Sequence, residues 1–329
     1  MTRERRFVLE DAAAQLATSV VSRLPRRMAL GLGRGLGRIW GDLDRRHVAI
    51  AADNLRRAFP HWDESRVLRT ARDVYAHFGT VLLDLLWTSR RSRDEILGLV
   101  ELEGRAHVEQ ALEAGRGALF LTAHFGNWEL HGAAHGFIFG PMTVVVRPLD
   151  NPGLDRRLCA ARAVSGNEVI SKHKALARVM RALREGRGAA IVVDQNVQEQ
   201  DGIFVEFFGR PAATTTVAAA LALKTGCALV PARTVPLPDG RYRLIYDPPL
   251  RVSVTGDRAA DIARITQQVV SHLEGWIREQ PQLWLWLHRR WKTQPAARRP
   301  EGNSCATSLA PALGSEVSDA AAARSRGSA

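Results

Sequence analysis

Cysteine is scarce in this chain of 329 residues. Cys159, Cys227 and Cys305 are odd in number, widely separated and without a CxxC pair. A disulfide framework and a thiolate zinc site are thereby excluded, and a reducing compartment is suited. No secretory leader and no clear membrane span is present. The best N-terminal candidate, residues 7–24, is interrupted by Glu10 and Asp11 and falls short of the roughly 20 apolar residues a span needs. It reads instead as an amphipathic or interfacial helix, followed by Arg23, Arg26 and Arg27 and by the glycine-spaced, Arg-bearing stretch GLGRGLGRIW. That stretch serves packing or membrane contact equally well. It does not read as a phosphate loop, because no strand and no GKS or GKT follow it. There are only three tyrosines, no zinc-finger spacing and no RNP-type aromatic run, which argues against nucleic acid as a partner. G-x-S-x-G and HExxH are absent too, so neither a serine-hydrolase elbow nor a zincin helix is expected.

Positive charge, by contrast, is abundant. The formal net charge is +12, with 46 Lys and Arg against 34 Asp and Glu. Residues 295–329 hold four Arg and three acidic residues, so nearly all the excess belongs to the rest of the chain. With nucleic acid set aside, the fitting partners are an anionic membrane, a phosphorylated lipid or an acidic carrier protein.

Hydrophobic periodicity divides the chain. Residues 1–98 read as helical, interrupted at Pro60. From 99 to 294, apolar runs such as GALFLTAH, MTVVVR, AAIVVDQ, CALVPAR and YRLIYDP read as strands, several of them continuously apolar, as buried sheet strands are. Helical segments over 126–138, 152–164, 173–185 and 214–225 alternate with them, and a long helix over 258–279 stops before Pro281. The expected fold class is α/β, with a largely parallel or mixed central sheet flanked by helices and preceded by a helical region. Residues 295–329, rich in Ala, Ser, Pro, Gly and Arg, read as a disordered tail.

The stretch LTAHFGNWEL, 121–130, carries the chemistry. His124 leaves an apolar strand and Glu129 follows five positions later. On one continuous helix such a pair would diverge by about 140°. The two meet only if His124 precedes the helix and Glu129 lies in its first turns, with Gly126 and Asn127 supplying the bend. A general base with an orienting carboxylate fits this arrangement. So does a structural histidine beside a first-turn glutamate that complements the helix dipole. Arg147 and Asp194 also fall at the carboxyl ends of expected strands, where ligands gather in open α/β sheets. His131 and His135 are one helical turn apart, but no metal site is expected.

HFGNWE resembles the His-x4-acid box of the glycerolipid acyltransferases, in the form used by the lipid A biosynthesis (late, secondary) acyltransferases. HVAIAADNLRRAFP (47–60), RPLDNPGLD (147–155), VVDQN (192–196), VEFFGRPAATTT (205–216) and WLWLHRRWK (284–292) resemble that family's blocks in its order, covering about 45 to 292. The resemblance implies an O-acyltransferase in which His124 is the base and Glu129 its partner, with no cofactor. It implies an acyl carrier protein as donor and a glycolipid acceptor, a lipid A precursor, in an anionic membrane. Arg147 and Arg162 are then candidates for phosphate groups of acceptor or donor, and Asp194 and Gln195 belong to the site. Asn127, an Arg, or backbone N–H groups after Gly126 are candidate oxyanion donors. Phe207 and Phe208 suit either an acyl channel or the core. WLWLHRRWK alternates like a strand ending in a basic edge, with tryptophans of the kind found at membrane interfaces. The family's usual hydrophobic N-terminal anchor is weaker here, which implies peripheral or monotopic attachment to the cytoplasmic face of the inner membrane. Rival readings are an acyltransferase for a phosphatidylinositol mannoside or lysophospholipid, a lipid thioesterase or hydrolase, and a non-catalytic basic membrane-binding protein.

Overall fold

Four helices lead the chain. In the computed structural model, which describes residues 2–172 and 175–295, they are α1 (Arg3–Val21), α2 (Arg26–Leu43), α3 (Arg45–Ala58) and α4 (Glu64–Thr88), with a short α5 (Arg93–Leu97). Side-chain caps set several starts: Thr2, Asp44 and Asp63 accept from backbone N–H groups of the first turns of α1, α3 and α4, and Ser92 with Glu95 forms a capping box on α5.

The remainder alternates: β1 (Val100–Glu103), α6 (Arg105–Glu113), β2 (Ala118–Thr122), α7 (Trp128–Phe139), β3 (Thr143–Val146), α8 (Pro152–Arg162), β4 (Glu168–Ser171), α9 (Ala175–Arg184) and β5 (Gly188–Val192). The hairpin β6 (Ile203–Phe207) and β7 (Arg210–Thr214) follows, then α10 (Val217–Thr225), β8 (Ala228–Pro236), β9 (Tyr242–Tyr246) and α11 (Arg258–Glu279). Seven strands form one sheet in the order β1-β9-β8-β2-β5-β3-β4, and every pairing in it is parallel except β8 with β9. The α/β expectation is met. β2 explains why its sequence is apolar throughout: Leu119 and Leu121 pack into a core shared with α3, α4 and α11, while Ala118 and Phe120 pack on the other face against α7. The tail at 296–329, with Cys305, lies outside the described residues. Cys227 is buried, and Cys159 is half-buried.

WLWLHRRWK is not a strand. An isolated β-bridge joins Trp284 to Phe125. The peptide is pinned by Asn54, whose amide donates to the Trp286 and His288 carbonyls at 2.8 and 2.7 Å. Trp284, Trp286 and Trp291 are core residues and not an interfacial belt. Arg290 is buried as well, donating to the Ala213 carbonyl and the Thr214 hydroxyl.

The glycines of α2 are packing residues. A Cβ on Gly33 would lie 2.5 Å from the Gly79 carbonyl oxygen, and one on Gly37 would lie 2.1 Å from that of Tyr75, so α2 and α4 touch backbone to backbone. Gly31 and Gly35 face open space. Gly37→Ala is therefore expected to cost about 1–3 kcal/mol or more through overpacking. Gly35→Ala should be neutral or stabilising by up to about 1 kcal/mol through helix propensity. Paired thermal or urea melts distinguish the two, and equal effects at both positions would contradict the packing described.

Candidate active site

β3, β5 and β2 are neighbours, all parallel, so their carboxyl ends open on one edge of the sheet. Arg147 follows β3 by one residue, Asp194 follows β5 by two, and His124 follows β2 by two. This is the place where an open α/β sheet gathers ligands.

The turn that carries His124 is fixed from several sides. Gly126 has φ +59°, and a Cβ there would lie 1.7 Å from the Thr234 carbonyl oxygen, so the position excludes any other residue. Its N–H donates to the Leu283 carbonyl at 3.0 Å, and the Leu285 N–H donates to the His124 carbonyl at 3.0 Å. From α4, His77 Nε2 donates to the Gly126 carbonyl at 3.2 Å, and burial holds that imidazole neutral, its pKa pulled down to about 4. Asn127 caps α7: its Oδ1 accepts from the Leu130 N–H at 3.1 Å while its Nδ2 donates to Asp84 Oδ2 at 2.8 Å.

Spacing pairs His124 with Glu129, but the structure gives the imidazole a different partner. Nδ1 lies 3.0 Å from Asp194 Oδ1. The other carboxylate oxygen accepts the His124 backbone N–H and the Trp284 indole N–H, each at 2.8 Å. A carboxylate accepts only, so Nδ1 carries the proton and Nε2 keeps its free lone pair. Burial of Asp194 opposes its ionisation. The adjacent imidazole and the hydrogen bonds outweigh that and hold the carboxyl far below the usual range. Burial likewise opposes a charge on His124, yet Asp194, with a smaller contribution from Glu129, raises its pKa above the ordinary 6.5. The Trp128 ring packs edge-on at 5.2 Å between centroids.

Glu129 does fall in the first turn of α7, as its spacing requires. Both its oxygens are bound by Arg162, at 2.8 and 2.5 Å, and Oε1 also accepts the Trp128 indole N–H at 3.1 Å. A cavity of about 450 Å³ opens beside these groups. His124, Glu129, Arg147, Arg162 and Gln195 line it, whereas Asp194 and Asn127 stand behind the wall and act through what they hold. Its interior is largely apolar, with Phe120, Met142, Val144, Ile191 and Ala232, and Lys172 joins Arg147 and Arg162 as a third cation on the lining. Phe207 and Phe208 belong to the core and not to this lining. His131 and His135 line the cavity but face inward partners, Thr234 Oγ1 and the Tyr246 hydroxyl, both at 2.8 Å. Among the described residues no acidic, His or Cys cluster is placed to hold a metal.

Four groups that build the site escape the spacing reading: Trp284, His77, Asp84 and Thr234. Asp84 does leave a signal, a lone carboxylate inside the apolar run VLLDLLW.

A half-buried histidine held by a buried carboxylate thus stands beside a largely apolar cavity with arginines on its lining. A family model described as bacterial lipid A biosynthesis acyltransferase matches residues 11–293. The lipid A biosynthesis lauroyltransferase of Escherichia coli (strain K12) is 31% identical over 282 residues, 84% of this chain and 89% of the relative. The palmitoleoyltransferase of lipid A biosynthesis from the same organism is 26% identical over 278 residues, 83% and 87% of the two chains. A phosphatidylinositol mannoside acyltransferase of Mycolicibacterium smegmatis is 28% identical over 229 residues, 68% and 72%. The chain belongs to the bacterial lipid A biosynthesis acyltransferase family and is an acyltransferase.

The paired charges set a titration. His124 should protonate with a midpoint above pH 6.5, and Asp194→Asn, which removes the stabilising charge, should lower that midpoint. Heteronuclear NMR of the imidazole reads this directly. A midpoint below 6.5 in the wild-type protein, or no fall in the variant, would contradict the pairing.

Proposed function

We propose that the protein moves a fatty acyl chain from an acyl carrier protein thioester to a hydroxyl of a lipid A precursor, with His124 as general base. The carrying observation is the His124–Asp194 pair at the rim of an apolar cavity. Nε2 takes the acceptor's hydroxyl proton as the oxygen attacks the thioester carbonyl. The tetrahedral intermediate collapses with cleavage of the C–S bond, and the imidazolium returns its proton to the leaving thiolate. Asp194 fixes the tautomer and offsets the imidazolium charge, the orienting role of a triad carboxylate. Glu129 contributes at one remove, adding negative charge near the ring and locking the Arg162 guanidinium on the wall. Arg162, Arg147 and Lys172 are suited to phosphate on the acceptor or the donor's carrier arm, and Gln195 to a polar group beside them. The apolar interior suits the acyl chain. A phosphatidylinositol mannoside acceptor is the second reading, favoured by the similarity to the M. smegmatis relative.

We place this reaction at the cytoplasmic face of the inner membrane, with peripheral attachment. Among the described residues no helix is long and apolar enough to cross a membrane. One surface suits a lipid interface. Met28, Leu32, Leu36, Ile39 and Leu43 form a stripe along α2, each between 45% and 72% exposed, and Arg27, Arg34 and Arg38 project nearby. On α1, Val8, Leu9, Leu16 and Val20 are exposed as well.

Purified protein incubated with acyl carrier protein thioester and lipid A precursor should yield an acylated lipid by mass spectrometry, and a phosphatidylinositol mannoside arm tests the second acceptor. His124→Ala should lower turnover by about 10²–10⁴-fold. Free fatty acid without lipid ester would instead indicate a hydrolase, and wild-type turnover in His124→Ala would sink the mechanism. In flotation with vesicles containing anionic lipid, Leu36→Glu/Leu43→Glu should reduce bound protein at least several-fold. Unchanged binding would remove α2 from the attachment.

A further inference from the structure

Asp84 is a carboxylate with a fully buried side chain near the C-terminal end of α4, and neither the cavity nor the proposed proton transfer uses it. Arg26, from the first turn of α2, reaches it with two parallel hydrogen bonds, Nε to Oδ1 at 3.0 Å and Nη2 to Oδ2 at 3.2 Å. The same guanidinium donates to the Gly240 carbonyl and lies near the Trp87 and Tyr242 rings. A buried ion pair of this kind is seldom more stabilising than apolar residues of the same volume, so its presence asks for another account. That account lies in what Asp84 Oδ2 also holds, the Nδ2 of Asn127 at 2.8 Å.

We infer that Asp84, with Arg26 behind it, is a positioning residue for the catalytic turn, acting through the orientation of the Asn127 amide. The inference rests on His124 being the base of acyl transfer. An amide can face its neighbours in two ways, exchanging oxygen and nitrogen. Here one neighbour, the Leu130 N–H at the start of α7, can only donate, and the other, the Asp84 carboxylate, can only accept. Both demand the same orientation, with Oδ1 on the helix and Nδ2 on Asp84. Burial holds the Asp84 carboxyl above the ordinary carboxylate range despite the opposing charge and hydrogen bonds of Arg26, Tyr242 and Asn127, and its acceptor role rests on geometry: Oδ1 and Oδ2 each already accept an Arg26 N–H. The acceptor character that orients Asn127 is thus maintained from α2. Asn127 in turn fixes where α7 begins, and the next two residues are Trp128, packed on the His124 ring, and Glu129, clamped to Arg162. Asp194 secures the entry to the turn, and Asp84 secures its exit.

The test is Asp84→Asn, assayed with the acyl carrier protein thioester and lipid acceptor beside the wild type and His124→Ala. The substituted amide has one acceptor oxygen for the three N–H groups, two from Arg26 and one from Asn127, that now share two, and Asn127 loses its single orientation. Displacing the helix start by about 1 Å is expected to lower kcat by about 10²-fold. KM for the thioester should change less than threefold, and the acid limb of the pH profile should stay in place, because Asp194 is untouched. The exchange Asp84→Asn/Asn127→Asp restores a donor on residue 84 and an acceptor on residue 127 that still caps α7, and should recover at least tenfold of the lost kcat. If Asp84→Asn does not accumulate as folded protein, Arg26→Lys, which keeps the charge and loses the fork, should lower kcat severalfold at constant KM. Wild-type kcat in folded Asp84→Asn or in Arg26→Lys, a loss confined to KM, or an exchange no better than the single variant overturns the inference. An active His124→Ala would overturn instead the mechanism on which it rests.

Discussion

One buried carboxylate organises the reactive edge of this protein. Asp194 sits at the end of β5 with three donors around it: the His124 imidazole, the His124 backbone and the Trp284 indole. An unpaired carboxylate in that position would cost several kcal/mol. With those partners it remains ionised and fixes both the ring and the main chain of the residue it serves. The segment after α11 is bound to the same point, because Trp284 donates to Asp194 while Leu285 donates to the His124 carbonyl. Sequence positions 124, 194 and 284 are thereby joined within a few ångströms, and the ends of the α/β region close on each other.

Most of the fold was legible because it rests on local rules. Continuously apolar strands, glycine and proline breaks and helical periodicity placed the strand ends of β2, β3 and β5, and through them the convergence of His124, Arg147 and Asp194. The bend at Gly126 and the first-turn place of Glu129 followed from the geometry of a five-residue separation. Pairing did not. A carboxylate close in sequence looked like the natural partner of His124, but Asp194, 70 residues away, reaches Nδ1 because the sheet makes β2 and β5 neighbours. Glu129 faces Arg162 for a similar reason, since α7 and α8 meet only in the folded chain. Tertiary adjacency of this kind has no periodicity to read.

WLWLHRRWK illustrates a second limit. Its alternation has the period of a strand, yet a strand exists only where a neighbouring edge offers N–H and C=O groups in register. Here the segment's own Leu285 N–H and Trp286 and His288 carbonyls are bound by the His124 turn and by Asn54. The tryptophans are then free to turn into the core, and Arg290 finds backbone and hydroxyl acceptors there in place of a lipid phosphate. The amphipathic surface lies elsewhere, on α2, in a stretch whose sequence reads chiefly as glycine and arginine.

That helix presents glycine to α4 along one side and large apolar residues to the exterior along another. At Gly33 and Gly37 its contact with α4 is main chain against main chain, with no side chain between to compress or swing. α4 in turn supplies the His77 and Asp84 contacts to the turn that bears His124. With α2 on a lipid surface, as proposed, this amounts to a fixed stand-off. The distance of the His124 imidazole from the outer face of α2 is then set by helix radii, and evolution can change what α2 touches without changing how far His124 is from it.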